Sequence, residues 1–150
     1  PEQPLKRQSN GKLILEQLKL PNKIATITVK LQQLLHELHA LLPELGAIEE
    51  KIVDLCFWQR SAGELWPVVE LLYANAKGLD DSRFLFKAFS QRKLDEFWRA
   101  KPMLDGNELK ARLKVQGKDV KTMMDEVLRF QITNPSATAD NFVAKFKNKK

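Results

Sequence analysis

The feature that most constrains the fold is a run of about twenty residues in which large aliphatic side chains recur every three or four positions. The run lies between Pro21 and Pro43, and Asn22 is a plausible N-cap at its start. This spacing places the aliphatic side chains on one face of an α-helix and predicts a long amphipathic helix. Its apolar positions are Ile24, Ile27, Leu31, Leu34, Leu35, Leu38 and Leu42.

The same helical period continues beyond Pro43, and no segment alternates with period two for long enough to make a strand. We predict a second helix that begins in the first turn at Pro43 and ends near Gly63. A third helix is predicted from about Glu64 to Lys77, with Gly78 at its left-handed end. A fourth, capped by Asp80 or Asp81, should run as far as Trp98 and end before Lys101–Pro102.

After Pro102 the segments become shorter, and turns around Gly106, Gly117 and Pro135 separate them. The pattern predicts helices over 107–113 and 119–133 and a last amphipathic helix capped by Thr138. The fold class is therefore predicted as all-α, an array of about seven helices. We divide it into a helical body over 21–100 and a small helical tail over 101–150, with 1–20 as a lead-in or the end of an upstream segment.

Composition narrows the class of protein further. With 43% apolar and 29% charged residues, the chain has no run of 18 apolar positions that could span a membrane, and it is too apolar to be disordered throughout. A single cysteine, Cys56, cannot form an internal disulfide and favours a reducing compartment. We expect a location in the cytoplasm, nucleus or mitochondrion. Because the sequence opens with Pro1, without an initiator Met or the apolar core of a signal peptide, we also expect it to be a processed product or part of something longer.

The positive charge is concentrated at one end of the chain. Residues 1–50 hold 6 Lys and Arg against 6 Asp and Glu, residues 51–100 hold 8 against 7, and residues 101–150 hold 11 against 6. Five of the six net positive charges therefore lie in the last third. Such asymmetry indicates an anionic partner, for which a phosphate backbone is the commonest choice, although solvated lysine-rich surfaces are equally common.

The sequence offers little that could carry catalysis. His36 and His39 are three residues apart with Glu37 between them, which does not match the zinc-binding HExxH spacing even with Cys56 added. Adjacent Asp80 and Asp81 fit helix capping better than metal binding. Phosphate-binding, nucleophile-elbow, dinucleotide and CxxC motifs do not occur. We predict no catalytic residue, no metal site and no cofactor within this chain.

Aromatic residues raise a separate possibility, stacking with unpaired bases. Because aromatic side chains at helical spacing more often form the core, we predict core positions for most of them, with Trp58 the least certain. The residues concerned are Trp58, Trp66, Trp98, Phe84, Phe86 and Phe89.

The most informative segment runs from Pro102 to Val127, where a short helix, a turn containing Gly117 and a second helix make a helical hairpin. The first amides of the second helix should point outward as unpaired donors that favour a phosphate. An ordinary hairpin with a solvated rim is the alternative. The predicted nucleic-acid-binding residues around this turn are Lys110, Arg112, Lys114, Gly117, Lys118 and Lys121.

Most of the last fifty residues form the segment KPMLDGNELKARLKVQGKDVKTMMDEVLRFQITNPSATADNFVAKF. This segment resembles the tail of the class II tRNA nucleotidyltransferases, the CCA-adding enzymes. The stretches LKLPNKIATITVKLQQLL and FWQRSAGELWPVVELLYA are similar, less specifically, to the helical body of that family. Leu113 and Lys121 stand where the family usually has glycine, which puts close approach of the RNA backbone at those two points in doubt. The positions that match the family pattern are Pro102, Leu104, Gly106, Glu108, Leu109, Gly117, Lys118, Val120, Met123, Gln131 and Pro135.

This resemblance implies that the chain is the tRNA-holding body and tail of such an enzyme. In the family, a separate catalytic head holds magnesium and adds CMP and AMP to the 3′ end of tRNA, and nothing in this chain resembles that head. The implied partners are tRNA and the catalytic head of the same enzyme. Two other classes stay open from the residues alone: a helix-turn-helix DNA-binding module and a helical protein-interaction scaffold.

Overall fold

The computed structural model describes residues 21–148, and within that range the chain is all-α, as predicted, with no β-strand. Between residues 21 and 148, seven α-helices follow one another, joined by turns and by three short 3-10 helices. The α-helices are α1 (Asn22–Leu41), α2 (Ile52–Ala62), α3 (Trp66–Lys77), α4 (Phe84–Gln91), α5 (Gly106–Leu113), α6 (Asp119–Thr133) and α7 (Ala139–Lys147). The 3-10 helices are Leu45–Ala47, Gly63–Leu65 and Phe97–Arg99. The predicted lead-in over 1–20 lies outside the described residues.

Helix α1 confirms the long amphipathic helix, but its start differs from the prediction. The N-cap position is Pro21, and Asn22 is the first helical residue and provides no side-chain cap. The apolar face is covered unevenly, since Leu34, Leu38 and Leu42 are buried whereas Ile24 and Ile27 are 48% and 39% exposed. The C-terminal half of α1 therefore carries most of its packing against the body.

The predicted second helix is wrong over its first half. Glu44 has an extended backbone (φ −133°, ψ 141°), so no α-helix starts at Pro43. A 3-10 helix over Leu45–Ala47 and a turn come first, and α2 begins at Ile52. Apolar spacing of three and four is compatible with both a 3-10 turn and an α-helix, so the pattern could not separate them. The end at Ala62 agrees with the predicted end near Gly63, and Gly63 itself has a positive φ of 58°.

Helix α3 ends as predicted, with Gly78 in the left-handed conformation (φ 64°). Helix α4 is shorter than predicted: it ends at Gln91, Lys93 follows with φ 58°, and Trp98 belongs to a separate 3-10 helix. Neither aspartate caps α4. Asp81 Oδ1 accepts a hydrogen bond from Arg83 N (3.0 Å), before the helix begins, and Asp81 Oδ2 pairs with Lys87 Nζ at 2.6 Å.

A carboxylate distant in the sequence accepts a hydrogen bond from the first turn of α4, where a local capping residue would otherwise do so. Glu70, on α3, is fully buried, and its Oε2 accepts a hydrogen bond from Phe86 N, the third amide of α4, at 2.7 Å. Its Oε1 has no hydrogen-bond partner in the described part of the chain, but Arg83 Nε lies 3.3 Å away as an ion-pair partner. Burial raises the pKa of Glu70 despite these favourable contacts. Glu70 therefore connects α3 to α4 through a buried, charge-assisted contact.

The body has one buried cluster built from α1 to α4, the 3-10 segment after α4, and part of α6. The prediction that aromatic residues are core is confirmed for Trp58, Trp66 and Phe89, which are 4%, 3% and 0% exposed. Trp58 Nε1 donates to Leu34 O at 3.0 Å, and the Trp66 and Phe89 rings meet edge to face. These side chains are unavailable for stacking with bases.

A second buried cluster forms the tail, and helix α6 belongs to both. Leu128 and Ile132 of α6 pack in the body cluster, whereas Val127 packs in the tail cluster with residues of α5 and α7. The tail cluster consists of Leu104, Leu109, Val127, Phe142 and Val143. The division into body and tail domains stays a prediction, but the two clusters share one continuous helix.

Gln131 on α6 fixes the segment that joins the two clusters. Its Oε1 accepts from Met103 N at 2.8 Å, and its Nε2 donates to Lys101 O at 3.3 Å. The oxygen and the nitrogen of the side-chain amide therefore both form hydrogen bonds with backbone groups that belong to no helix.

We expect Gln131→Ala to lower the free energy of unfolding by about 1–2 kcal/mol, because it leaves a half-buried backbone amide without its acceptor. Urea denaturation followed by circular dichroism measures this, with the exposed Gln91→Ala on α4 as the matched control. The control should change stability by less than about 0.5 kcal/mol. Equal effects of the two substitutions would contradict a structural role for the Gln131 amide.

Candidate nucleic-acid interface

The interface begins with α5, whose first turn is fixed by its own side chains. Asp105 Oδ1 accepts from Asn107 N and Glu108 N, both at 2.8 Å, and Glu108 Oε2 accepts in return from Asp105 N at 2.9 Å. This capping box satisfies the amides that a helix start leaves open. Glu108 therefore has a local structural role, and Lys110 and Arg112 follow in the last turn of α5.

The turn between α5 and α6 contains two left-handed residues. Lys114 ends α5 with φ 55°, and Gly117 has φ 58°. The left-handed region is accessible to glycine without strain, whereas a lysine side chain makes it less favourable. Near the other end of α5, a Cβ on Gly106 would meet Val120 Cγ1 at 3.2 Å, so a glycine there allows α5 and α6 to approach closely.

The prediction that the first amides of α6 are free is wrong. Asp119 N donates to Gln116 O at 3.3 Å, and Val120 N donates to Gly117 O at 3.4 Å. The turn folds back so that its own carbonyls accept these two amides, as commonly happens where a helix begins with a tight turn. Lys118 occupies the N-cap position without a side-chain hydrogen bond. Any anion at this turn must therefore be held mainly by side chains.

The predicted lysines surround this turn as exposed side chains. None of the four forms an ion pair with an acidic residue anywhere in residues 21–148, so their positive charges are not neutralised locally. Arg112 differs, because it forms an ion pair with Asp140 at the start of α7. The four lysines are Lys110, Lys114, Lys118 and Lys121.

Arginines of the body contrast with these lysines because they are engaged in internal contacts. Arg60 Nη1 donates to Phe97 O at 3.1 Å and to Ala100 O at 2.6 Å. Arg83 pairs with Glu70 and lies over the Phe86 ring, 4.3 Å from its centroid. Arg92 and Arg99 pair with Glu49 and Glu96, respectively. The arginines of the body are thus engaged in contacts within the protein, whereas the four lysines at the tail turn are not. Body lysines such as Lys23, Lys30 and Lys93 likewise form no ion pair with an acidic residue in the described part of the chain.

Beside the turn lies a cleft of about 770 Å³ between the end of α5, the start of α6 and the end of α7. Two of the predicted residues, Arg112 and Lys114, line it. Lys110, Gly117, Lys118 and Lys121 do not line it and lie on the outer surface around the turn. The structure therefore brings two of the predicted residues together in a concave site and leaves the others on the outer surface around the turn.

Several lining residues escaped the sequence analysis. Phe146 and Lys147 come from the last turn of α7, and Val115, Gln116 and Thr122 come from the turn and from α6. A basic residue beside an aromatic one at the end of an amphipathic helix is a weak signal in the sequence. Only the packing of α7 against α5, in which Phe142 and Val143 are buried in one cluster with Leu109, brings Phe146 and Lys147 to this cleft.

The residues weighed as metal ligands are not brought together as a metal site. His39 packs against the Tyr73 ring with centroids 4.7 Å apart, Cys56 is buried, and burial raises its thiol pKa to about 12. Residues 21–148 contain no cluster of three or more side chains suited to binding a metal. None of the helices in that range combines the length and apolar character needed to cross a membrane.

Comparisons of the chain with protein-family models, with curated proteins and with solved structures find no match.

Proposed function

We propose that this chain binds RNA through its tail and acts as the tRNA-holding C-terminal portion of a CCA-adding tRNA nucleotidyltransferase. The observation that carries the proposal is a set of four exposed lysines around the α5–α6 turn, none of which forms an ion pair within residues 21–148: Lys110, Lys114, Lys118 and Lys121. Contacts between such lysines and phosphates release counterions and so supply sequence-independent affinity. The Arg112 and Lys114 side chains extend the same basic surface into the adjacent cleft.

The surface favours RNA over a DNA operator. A helix-turn-helix module reads bases from the start of its second helix, usually with Arg, Asn or Gln. Here α6 begins Asp119, Val120, Lys121, so its first turn offers one carboxylate and one cation. Lysines without base-reading partners fit recognition through phosphates and shape, which is the common mode for structured RNA.

The restriction to tRNA rests on the resemblance to the CCA-adding family. Some matching positions have structural roles in this chain: Gly106 allows α5 to approach α6, Glu108 completes the capping box, and Gln131 fixes the segment before α5. Matches at such positions support a shared tail structure. Under this proposal the catalytic head, with its magnesium, is a separate domain of the same enzyme, and this chain has the binding role.

We expect the 150-residue chain to bind tRNA with an affinity that falls steeply as salt rises, because each phosphate contact contributes roughly 0.7–0.9 to the logarithmic salt slope. Filter binding at several salt concentrations measures this slope. Duplex DNA of several sequences is the matched competitor, and it should bind more weakly than tRNA.

Two outcomes would contradict the proposal. A DNA sequence bound more tightly than tRNA would favour the helix-turn-helix alternative. Absence of salt-dependent binding to any nucleic acid, together with capture of a defined protein ligand, would favour the scaffold alternative.

A further inference from the structure

We infer that the cleft beside the α5–α6 turn holds one unstacked nucleotide of the bound RNA, with its base on the apolar floor and its phosphate at the basic rim. The inference rests on the proposed RNA-binding function and specifies what this one site recognises. The cleft would thus bind a base and a phosphate, whereas the lysines on the outer surface, Lys110, Lys118 and Lys121, would contact only the RNA backbone.

The floor of the cleft is apolar and includes one aromatic ring. Phe146 packs on one side against Phe142, with ring centroids 5.6 Å apart, and also lines the cleft. Leu113, Val115 and Met123 complete the floor, and all four side chains are half-buried. A partly exposed ring backed by a buried one is a rigid surface on which a base can stack, whatever its identity.

The rim is basic on two sides, although one carboxylate, Asp119 at the start of α6, also lines the cleft. Lys114 stands where α5 ends, and Lys147 stands near the end of α7. Arg112 also lines the cleft, and its ion pair with Asp140 leaves 38% of its side chain exposed. Because the two lysines come from different elements, a group bound between them experiences positive charge from both.

The combination of floor and rim fits a nucleotide better than a wholly apolar ligand. The volume of about 770 Å³ lies within the range of roughly 300–1,000 Å³ typical of small-ligand sites. A base in a duplex is stacked on both faces and cannot reach a floor of this kind, whereas a base in a loop can turn outward. The cleft should therefore discriminate single-stranded from double-stranded RNA.

The test compares three probes on the intact 150-residue chain: unmodified tRNA, a single-stranded RNA dodecamer and an RNA duplex of the same length. Fluorescence anisotropy gives the dissociation constants. We expect Phe146→Leu, which keeps an apolar side chain but removes the ring, to weaken single-stranded binding by about five- to tenfold. Binding of the duplex should stay within about twofold of the unmodified chain.

Matched controls separate the cleft from general charge. Lys147→Ala should weaken single-stranded RNA binding more than Lys145→Ala, because Lys145 lies on the same helix but points to the Phe130 ring, 5.1 Å from its centroid, and does not line the cleft. Thr122→Glu places a carboxylate in the lining at an exposed helical position and should also weaken single-stranded binding. These exposed substitutions should fold normally, so they test the site even if Phe146→Leu is destabilised.

The outcomes distinguish this inference from the function on which it rests. If no RNA binds, both fail. If RNA binds but Phe146→Leu and Thr122→Glu change single-stranded and duplex affinity equally, or change neither, RNA binding stands and the nucleotide site is overturned. Tighter binding of an acidic amphipathic peptide than of RNA, abolished by the same substitutions, would assign the cleft to a protein partner and overturn the inference.

Discussion

Removal of the four lysines around the α5–α6 turn should abolish most tRNA binding. In the variant Lys110→Ala, Lys114→Gly, Lys118→Ala, Lys121→Ala, we expect affinity at about 50 mM salt to fall on the order of 100-fold, since exposed ion pairs contribute roughly 0.2–1 kcal/mol each. The logarithmic salt slope should flatten by roughly three units. Glycine is chosen at 114 because the backbone there has φ 55°, so the substitution relieves strain instead of adding it.

A body variant of equal charge provides the control. Lys23→Ala, Lys30→Ala, Lys51→Ala, Lys93→Gly also lowers the formal net charge from +6 to +2, and its glycine likewise replaces a left-handed lysine, with φ 58°. We expect this variant to lose less than about fivefold in tRNA affinity, because it changes only the overall field. Equal losses in the two variants would show that binding is diffuse electrostatics and that the turn has no special role.

The largest effect on stability should come from Glu70. We expect Glu70→Ala to lower the free energy of unfolding by about 2–4 kcal/mol, because it removes the acceptor of the Phe86 amide and leaves space in a fully buried position. Glu70→Gln should cost less, since the amide oxygen can still accept that hydrogen bond. Thermal and urea unfolding measure both, and the exposed Glu64→Ala is the control.

The same residue predicts a pH dependence whose sign follows from its environment. Burial raises the pKa of Glu70 in the folded chain above its unfolded value of about 4.3, so the folded state binds more protons between these two values. The contribution of Glu70 to stability is therefore fully present below about pH 4.3 and declines as pH rises through the folded pKa. As pH rises through that window, the free energy of unfolding of Glu70→Gln should therefore increase relative to that of the unmodified chain. A difference that does not change with pH would contradict the raised pKa.

The sequence predicts helix location where local signals act, and it fails where tertiary contacts replace them. The bounds of α6, the left-handed Gly78 and the Thr138 cap all depend on residues within one or two turns, and the structure confirms them. The short α4 has no such local cap. Its start depends on Glu70, which is 14 residues before Phe84, and no spacing rule connects these two positions.

In the candidate site, too, the features set by neighbouring residues could be predicted from sequence, and those set by tertiary packing could not. The basic cluster around Gly117 could be found from sequence because its members are close along the chain, and their role in binding stays a prediction. The cleft could not be found, since Phe146 and Lys147 reach it only through the packing of α7 against α5. The orientation of the α6 amides also escaped prediction, because it depends on where the carbonyls of residues 116 and 117 point.

Helix α6 also has a mechanical consequence for the proposed function. Its 15 residues measure about 22 Å from end to end, with Lys118 and Lys121 at one end and Leu128 and Ile132 anchored in the body cluster towards the other. Because the helix is continuous, RNA bound at its first turn is kept at a set distance and angle from the body. Under the proposal, the packing of Leu128 and Ile132 in the body cluster thus determines where the RNA is held relative to the body. Helix α6 then sets the distance to the RNA in addition to binding it.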